Sequence, residues 1–174
     1  TGNYNTAVGA YALPENTTGD HNTALGRNAL RYNTTADQNT AVGALALDGT
    51  TTGSSNVAVG YYSLKANTTG FENTAIGAQA LKTITTAAYN TGIGYQALAL
   101  NTSGNKNAAF GHQALYANTT GSQLTAVGKG ALVGNTTGDN NTVCGFEAAK
   151  LTTTGSSNTA IGSQSLDANT GGNN

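Results

Sequence analysis

Hydrophobic and polar residues alternate along short stretches of this chain, and the same stretch returns at a fixed interval. The first copy is Asn5-Thr6-Ala7-Val8-Gly9, in which Thr6 and Val8 share one face of an extended segment while Asn5, Ala7 and Gly9 share the other. Further copies begin seventeen residues apart, at residues 22, 39, 56, 73, 90, 107, 124, 141 and 158. The pattern predicts ten stacked coils, each with a strand at the same place.

Two apolar columns run through the ten repeats when positions are counted from the first residue of each copy. The position-four ladder consists of Val8, Leu25, Val42, Val59, Ile76, Ile93, Phe110, Val127, Cys144 and Ile161. The position-nine ladder consists of Leu13, Leu30, Leu47, Leu64, Leu81, Leu98, Leu115, Leu132, Ala149 and Leu166. Because columns that accept almost only apolar residues usually belong to a core, we predict that both ladders are buried.

The remaining positions predict how one coil closes. A second short strand is expected through Ala12-Leu13, and Gly9, which is Gly in every repeat, is expected to form a corner with positive φ. The segment Asn16-Thr17-Thr18-Gly19 has the composition of a turn. Two strands and two turns per repeat, paired in parallel with the next coil, define the expected fold class: an all-β parallel β-solenoid or β-roll.

Composition leaves little material for a core. Val, Leu, Ile and Phe number only 28 of 174 residues, and the net charge is −1. The restricted columns argue against disorder, because an unstructured tract has no reason to keep a repeat in phase. A thin core and the small face of Ala7 and Gly9 together predict that identical chains associate, with the small face as their seam.

The two termini share the phase of the repeat. Residues Thr1-Gly2-Asn3-Tyr4 match the last four positions of a repeat, and the sequence ends at Gly171-Gly172-Asn173-Asn174 in the same phase. Solenoids carry atypical capping repeats at their ends, and none is recognisable here. Residues 1–174 are therefore expected to be a single repeat array, and either they are a segment of a longer fibre or their open ends join neighbouring molecules. The first alternative is preferred.

Catalytic and metal chemistry are not expected. Catalysis requires different functional groups close together, whereas the repeat places similar residues in parallel columns. His21, His112 and Cys144 lie in different columns or far apart, so no catalytic, cofactor or metal site is predicted. Cys144 is interpreted as a small core residue. Seven Lys and Arg scattered over ten coils predict no nucleic-acid contact, and no stretch is apolar enough to contact a membrane.

Two further patterns have simple structural explanations. Carboxylates in the variable turn are interpreted as solvated residues rather than calcium ligands: Asp20, Asp37, Glu72 and Asp139. The Asn-Thr-Thr and Asn-Thr-Ser triplets at Asn16, Asn67 and Asn101 match the acceptor pattern for N-glycosylation, but the repeat itself generates them. Turn formation is the preferred explanation.

Tyrosines in variable columns are the candidate contact residues. Tyr61, Tyr62, Tyr95 and Tyr116, together with Tyr11, are expected to be exposed. They would contact a host-surface glycan or protein, or they would pack between identical chains. The sequence does not choose between these alternatives.

The motif Asn-Thr-Ala-Val-Gly-x-x-Ala-Leu resembles the head repeats of YadA-like trimeric autotransporter adhesins. Ile93-Gly94-Tyr95-Gln96-Ala97-Leu98 is also similar to the NTAxGYQAL and NTTG repeat arrays of bacteriophage tail fibres and bacterial surface proteins. The resemblance covers all ten repeats and implies a left-handed roll, a homotrimer and an extracellular, cell-surface or virion-surface location. The coils of the YadA type are nearer fourteen residues, so a seventeen-residue coil implies a larger turn.

Three functions compete at this stage. The first is a non-enzymatic attachment fibre, either a surface adhesin or a phage-type tail fibre. The second is a self-assembling structural filament without a specific receptor. Ice binding is the third, and it is disfavoured because the invariant Thr17 column is expected in a turn rather than as Thr-x-Thr along a strand.

Overall fold

The structure is a computed structural model that describes residues 2–167 and 169–170, and it is an all-β parallel β-solenoid. Thr1 and residues 171–174, on which the expectation about the termini depends, lie outside the described residues. The ten strands are β1 (Thr6–Val8), β2 (Thr23–Leu25), β3 (Thr40–Val42), β4 (Val57–Val59), β5 (Thr74–Ile76), β6 (Thr91–Ile93), β7 (Ala108–Phe110), β8 (Thr125–Val127), β9 (Thr142–Cys144) and β10 (Thr159–Ile161). No helix occurs among the described residues.

The strands form one sheet in the order of the sequence, β1 to β10, and every neighbouring pair is parallel. The register follows the repeat, so that Ala41 lies beside Ala58 and Val42 beside Val59. Each coil thus adds one strand, at the usual spacing of about 4.8 Å. The prediction of stacked coils with a strand at the same place in each is confirmed.

The second strand predicted at Ala12-Leu13 is wrong, because two successive turns occupy this part of the coil. In the second repeat the carbonyl oxygen of Gly26 accepts the N–H of Ala29 at 3.3 Å, and that of Leu30 accepts the N–H of Asn33 at 3.2 Å. Leu30 has φ 51°, in the left-handed region, which costs an ordinary residue about 1–2 kcal/mol. The turn directs the leucine inward, and its complete burial offsets this cost.

The invariant glycine at position five behaves as predicted. Gly60 has φ 131°, and a Cβ atom at this residue would lie only 2.7 Å from the carbonyl carbon of Gly77 in the next coil. Both the backbone conformation and the close approach therefore require glycine at this corner.

The core consists mainly of small and aliphatic side chains in three columns, and Ile84 and Leu124 are buried outside them. The central residue of β2 to β10 is buried, as are the residues at position eight and the position-nine ladder of the interior coils. Ala58, Ala80 and Leu64 are each 0% exposed. The prediction of burial for the position-nine ladder is confirmed for these coils, while Leu13 and Leu166 in the end coils are partly buried.

The prediction of burial for the position-four ladder is wrong. Its members point away from the coil: Val42, Val59 and Ile93 are half-buried. The large apolar members that are exposed range from 39% at Ile76 and Val127 to 72% at Ile161. Alternation correctly predicts which residues share a face of the strand, but the face expected to be buried points outward and the other face points inward. The Ala7 column, which was expected to form a seam between chains, instead faces the interior of its own coil in β2 to β10.

Two ladders of buried asparagines complete the interior. In the first, Asn56 at position one donates its amide N–H to the Gly70 carbonyl at 2.9 Å, and its Oδ1 accepts the backbone N–H of Asn73 at 3.0 Å. In the second, Asn67 at position twelve donates to the same Gly70 carbonyl at 3.0 Å. The side chain of Asn67 therefore organises the turn, which confirms turn formation as the role of this triplet.

Candidate binding surfaces

The outer face of the sheet is a candidate surface that runs along all ten strands. It presents position two, which is Thr in eight repeats, beside the position-four ladder on the same side of each strand. The apolar side chains follow one another from coil to coil along all ten strands. A continuous apolar stripe of this kind is typical of a surface that contacts another molecule.

Cys144 belongs to this stripe, and its interpretation as a core residue is wrong. The thiol is free and exposed, at the end of β9. It lies in register with Val127 of β8 and Ile161 of β10, so it occupies the same outward column as the aliphatic residues on either side. A cysteine is compatible with an apolar exposed column because it behaves as a small hydrophobe.

The candidate tyrosines fall into separate groups. Tyr61 and Tyr62 are adjacent, with ring centroids 3.9 Å apart, and a side-chain hydrogen bond to Tyr62 raises the pKa of Tyr61. Tyr95 packs against His112 of the next coil at 5.3 Å. Tyr61 and Tyr95 are 47% and 45% exposed, whereas Tyr62 and Tyr116 are half-buried. No single tyrosine cluster unites these four residues.

One of these rings borders a basic groove of about 470 Å³. The Lys65 ammonium lies 4.4 Å from the centroid of the Tyr62 ring, and Lys82 follows Lys65 in the next coil. The Lys82 Nζ donates to Gln79 Oε1 at 3.3 Å. The groove therefore combines an aromatic wall with two adjacent cations.

Asp48 lies next to the basic residues at position ten. Its Oδ1 is 3.1 Å from Arg31 Nε in the preceding coil, and the carboxylate side chain is only 7% exposed. Burial raises the pKa of Asp48, and the positive charges of Arg31, Lys65 and Arg27 oppose that rise. Desolvation is the larger effect here.

A second groove, of about 390 Å³, lies on the turn that leads back to the strand. Its walls include Phe71 and Tyr89, whose ring centroids are 5.2 Å apart at an interplanar angle of 81°. The rings are 40% and 47% exposed. The repeat pattern does not predict this pair, although position sixteen offers a signal: Phe71 stands in a column that otherwise holds Asp, Ser, Asn and Ala.

The carboxylates of this turn have a structural role. Asp37 Oδ1 accepts the backbone N–H of Asp20 at 2.7 Å, and Asp139 Oδ1 accepts that of Ser122 at 2.7 Å. Each carboxylate therefore caps a backbone group of the coil before it. Across residues 2–167 and 169–170, no group of three or more His, Cys, Asp or Glu side chains is placed to hold a metal ion. The same residues include no helix long and apolar enough to cross a membrane.

Comparison of the chain with protein-family models, with curated proteins and with solved structures finds no match.

Proposed function

We propose that this chain is the fibrous repeat region of an extracellular attachment fibre, either a surface adhesin or a phage-type tail fibre. It acts without catalysis, as a rigid shaft or head that holds binding groups away from the particle or cell that carries it. The single observation that supports this function best is the exposed position-four ladder, which runs the length of the sheet.

The proposed partner of this ladder is the same ladder on identical chains. Rotation about an axis parallel to the rod leaves the height of each coil unchanged, so the same coil of each chain would lie at the same height. Val59 would then meet Val59, and Ile76 would meet Ile76. Such packing would cover the apolar stripe along its whole length. The resemblance to trimeric adhesin repeats makes a homotrimer the favoured assembly.

A charge placed in the ladder tests this assembly. Ile76→Glu, combined with Val127→Glu, puts carboxylates on the exposed face, where the folded coil tolerates them but a packed apolar interface does not. We expect wild-type chains to sediment as trimers and the double variant to sediment as monomers with an unchanged β-sheet circular dichroism spectrum. Tyr32→Ala, at an exposed residue outside the ladder, is the control. A wild-type chain that remains monomeric at micromolar concentration would contradict the proposal.

Cys144 provides a second test of parallel, in-register packing. Because the thiol lies in the exposed column, copies related by such an axis would place their Cys144 residues at the same level. Mild oxidation should then yield a disulfide-linked pair of chains on a non-reducing gel, and Cys144→Ser should abolish it. An antiparallel or staggered assembly would give no crosslink while remaining oligomeric.

The outward-facing threonines of the strands give ice binding some structural support that the sequence alone did not. Thr40 and Thr74 lie on the outer face of β3 and β5, in a column of regular spacing. The neighbouring column, however, mixes Val, Leu, Ile, Phe and Cys, and these unequal sizes suit packing against a protein better than matching a lattice. Measurable thermal hysteresis of the purified chain would reverse this preference. Fibres that grow with concentration would favour the structural filament.

A further inference from the structure

Position sixteen forms a ladder of side-chain caps along most of the rod. Asp37 Oδ1 accepts the N–H of Asp20, Ser54 Oγ accepts that of Asp37 at 3.0 Å, and Asn105 Oδ1 accepts that of Ala88 at 2.8 Å. Each cap satisfies a backbone donor in the preceding coil, where no sheet partner is available.

The ladder is interrupted at two consecutive repeats, where Phe71 and Ala88 occupy position sixteen. Neither side chain has an acceptor atom, so the backbone N–H groups of Ser54 and Phe71 lack the cap that the other coils provide. Elsewhere in residues 2–167 and 169–170 the same position supplies this hydrogen bond at Asp20, Asp37, Ser54, Asn105, Ser122, Asp139 and Ser156. Two structural hydrogen bonds are therefore given up at one place.

Both of these residues, Phe71 and Ala88, line the second groove. Phe71 forms a wall with Tyr89, and the small, buried Ala88 lines the groove beside them. The groove is also lined by three exposed polar side chains: the Thr86 hydroxyl, the Lys106 ammonium and the Gln123 amide. Exposed aromatic rings and solvent-accessible donors and acceptors thus meet in a single depression.

We propose that this groove binds a hexopyranose unit of a surface glycan. The apolar C–H face of a pyranose ring suits the electron-rich face of an aromatic ring, and its hydroxyl groups suit the donors and acceptors of Thr86, Lys106 and Gln123. Glu72 and Lys106 flank Tyr89 in the same column and carry opposite charges, so the groove has no strong preference for an ionised sugar. The inference rests on the proposed attachment function, for which it names the class of surface that is recognised.

The substitutions that interrupt the ladder also provide the test. Phe71→Ser with Ala88→Ser restores an acceptor at both positions while it removes the ring and fills part of the groove. We expect this double variant to melt at the wild-type temperature or above, and to bind sugar about tenfold more weakly. Tyr89→Gln, a residue type that position seventeen already contains, should weaken binding by a similar factor.

Binding is measured on the full chain by saturation-transfer difference NMR and by titration of the aromatic resonances. The probes are linear trisaccharides of glucose, galactose and mannose, with a trisaccharide of glucuronate as the charged arm. Tyr32→Ala is the matched control, because it removes an exposed ring outside this groove at a position where Ala66 and Ala117 occur in other repeats. We expect at least one neutral probe to bind the wild type and the control equally.

Three outcomes would overturn the inference. One is the absence of binding by every neutral probe. Another is binding of glucuronate alone that is lost at high salt, which would indicate ionic adsorption. The third is dissociation of the oligomer by Phe71→Ser with Ala88→Ser, which would assign the rings to packing between chains. Sugar binding by a chain that is monomeric would instead overturn the proposed trimer and leave this groove intact.

Discussion

The position-four and position-nine ladders are built from similar aliphatic residues, yet the molecule uses them in opposite ways. In the sixth coil Leu98 is 0% exposed, whereas Ile93 lies on the outer face of β6 and is half-buried. Alternation along a strand specifies which residues share a face, but it does not specify which face turns inward. The interior is decided by the remainder of the coil, where successive turns direct the leucine toward the alanine of the strand.

The difference also separates two sources of stability. The position-nine ladder packs with alanine columns and buried asparagines inside one chain. The position-four ladder is half-buried or exposed within the chain, so under the proposed assembly its contribution depends on a second molecule. Substitutions in the two ladders should therefore differ in whether their effects depend on protein concentration.

The largest effect is expected from Leu98→Ala. Truncation of a fully buried leucine in an interior coil removes apolar contacts and leaves a cavity, which costs about 2–5 kcal/mol. Chemical denaturation followed by circular dichroism measures this loss in the free energy of unfolding. Ile93→Ala in the same coil is the control and should cost about 1 kcal/mol or less in the dissociated chain. Equal losses from both substitutions in that state would contradict the assignment of an inner and an outer ladder.

An intermediate effect is expected from Asn73→Leu, which tests the polar part of the interior. The Oδ1 atom of Asn73 accepts the backbone N–H of Asn90 at 3.0 Å, and its amide donates to the Ala87 carbonyl at 2.9 Å. Leucine leaves that buried N–H without an acceptor, at a cost of about 1–3 kcal/mol. The same change at the exposed Asn3, whose φ is not positive, should alter the free energy of unfolding by less than about 0.5 kcal/mol.

The natural exception in this column refines the prediction. Leu124 occupies position one of its repeat, and Asn141 in the next coil consequently has no side-chain oxygen to accept its backbone N–H. Leu124→Asn should protect the Asn141 N–H from hydrogen exchange, because the new Oδ1 would accept it as Asn107 Oδ1 accepts the N–H of Leu124 at 3.0 Å. Unchanged exchange at Asn141 would show that the asparagine ladder does not hold these backbone groups.

The sequence predicts the period, the parallel stack, the glycine corner and the asparagine turn, because each depends on residues that recur without exception or nearly so. It does not predict the left-handed backbone of Leu30 or Gln38, since neither residue type favours positive φ by itself. Stacking supplies the missing constraint: the N–H of Gln38 donates to the carbonyl of Asp20 in the preceding coil at 3.0 Å. The sequence does not predict the groove at Phe71 and Tyr89, because the two residues are eighteen positions apart and their rings meet only across neighbouring coils.

The smallest effect is expected at Asp48, at position ten. This prediction tests the balance between burial and charge rather than the packing of the two ladders. Burial raises the pKa of this carboxyl above its ordinary value of about 3.9, and Arg31 compensates only in part. The folded state therefore favours the protonated form, and ionisation lowers stability as the pH rises from about 4 through the folded-state pKa.

The measurement compares the unfolding free energy of the wild type with that of Asp48→Asn across this pH range. Subtracting the second value from the first removes the contributions of the other groups. The difference should fall as the pH rises, and the 3.1 Å contact with Arg31 limits the size of the fall because it offsets part of the cost of burial. A difference that grows with pH would mean that the attraction to Arg31 exceeds the cost of burial.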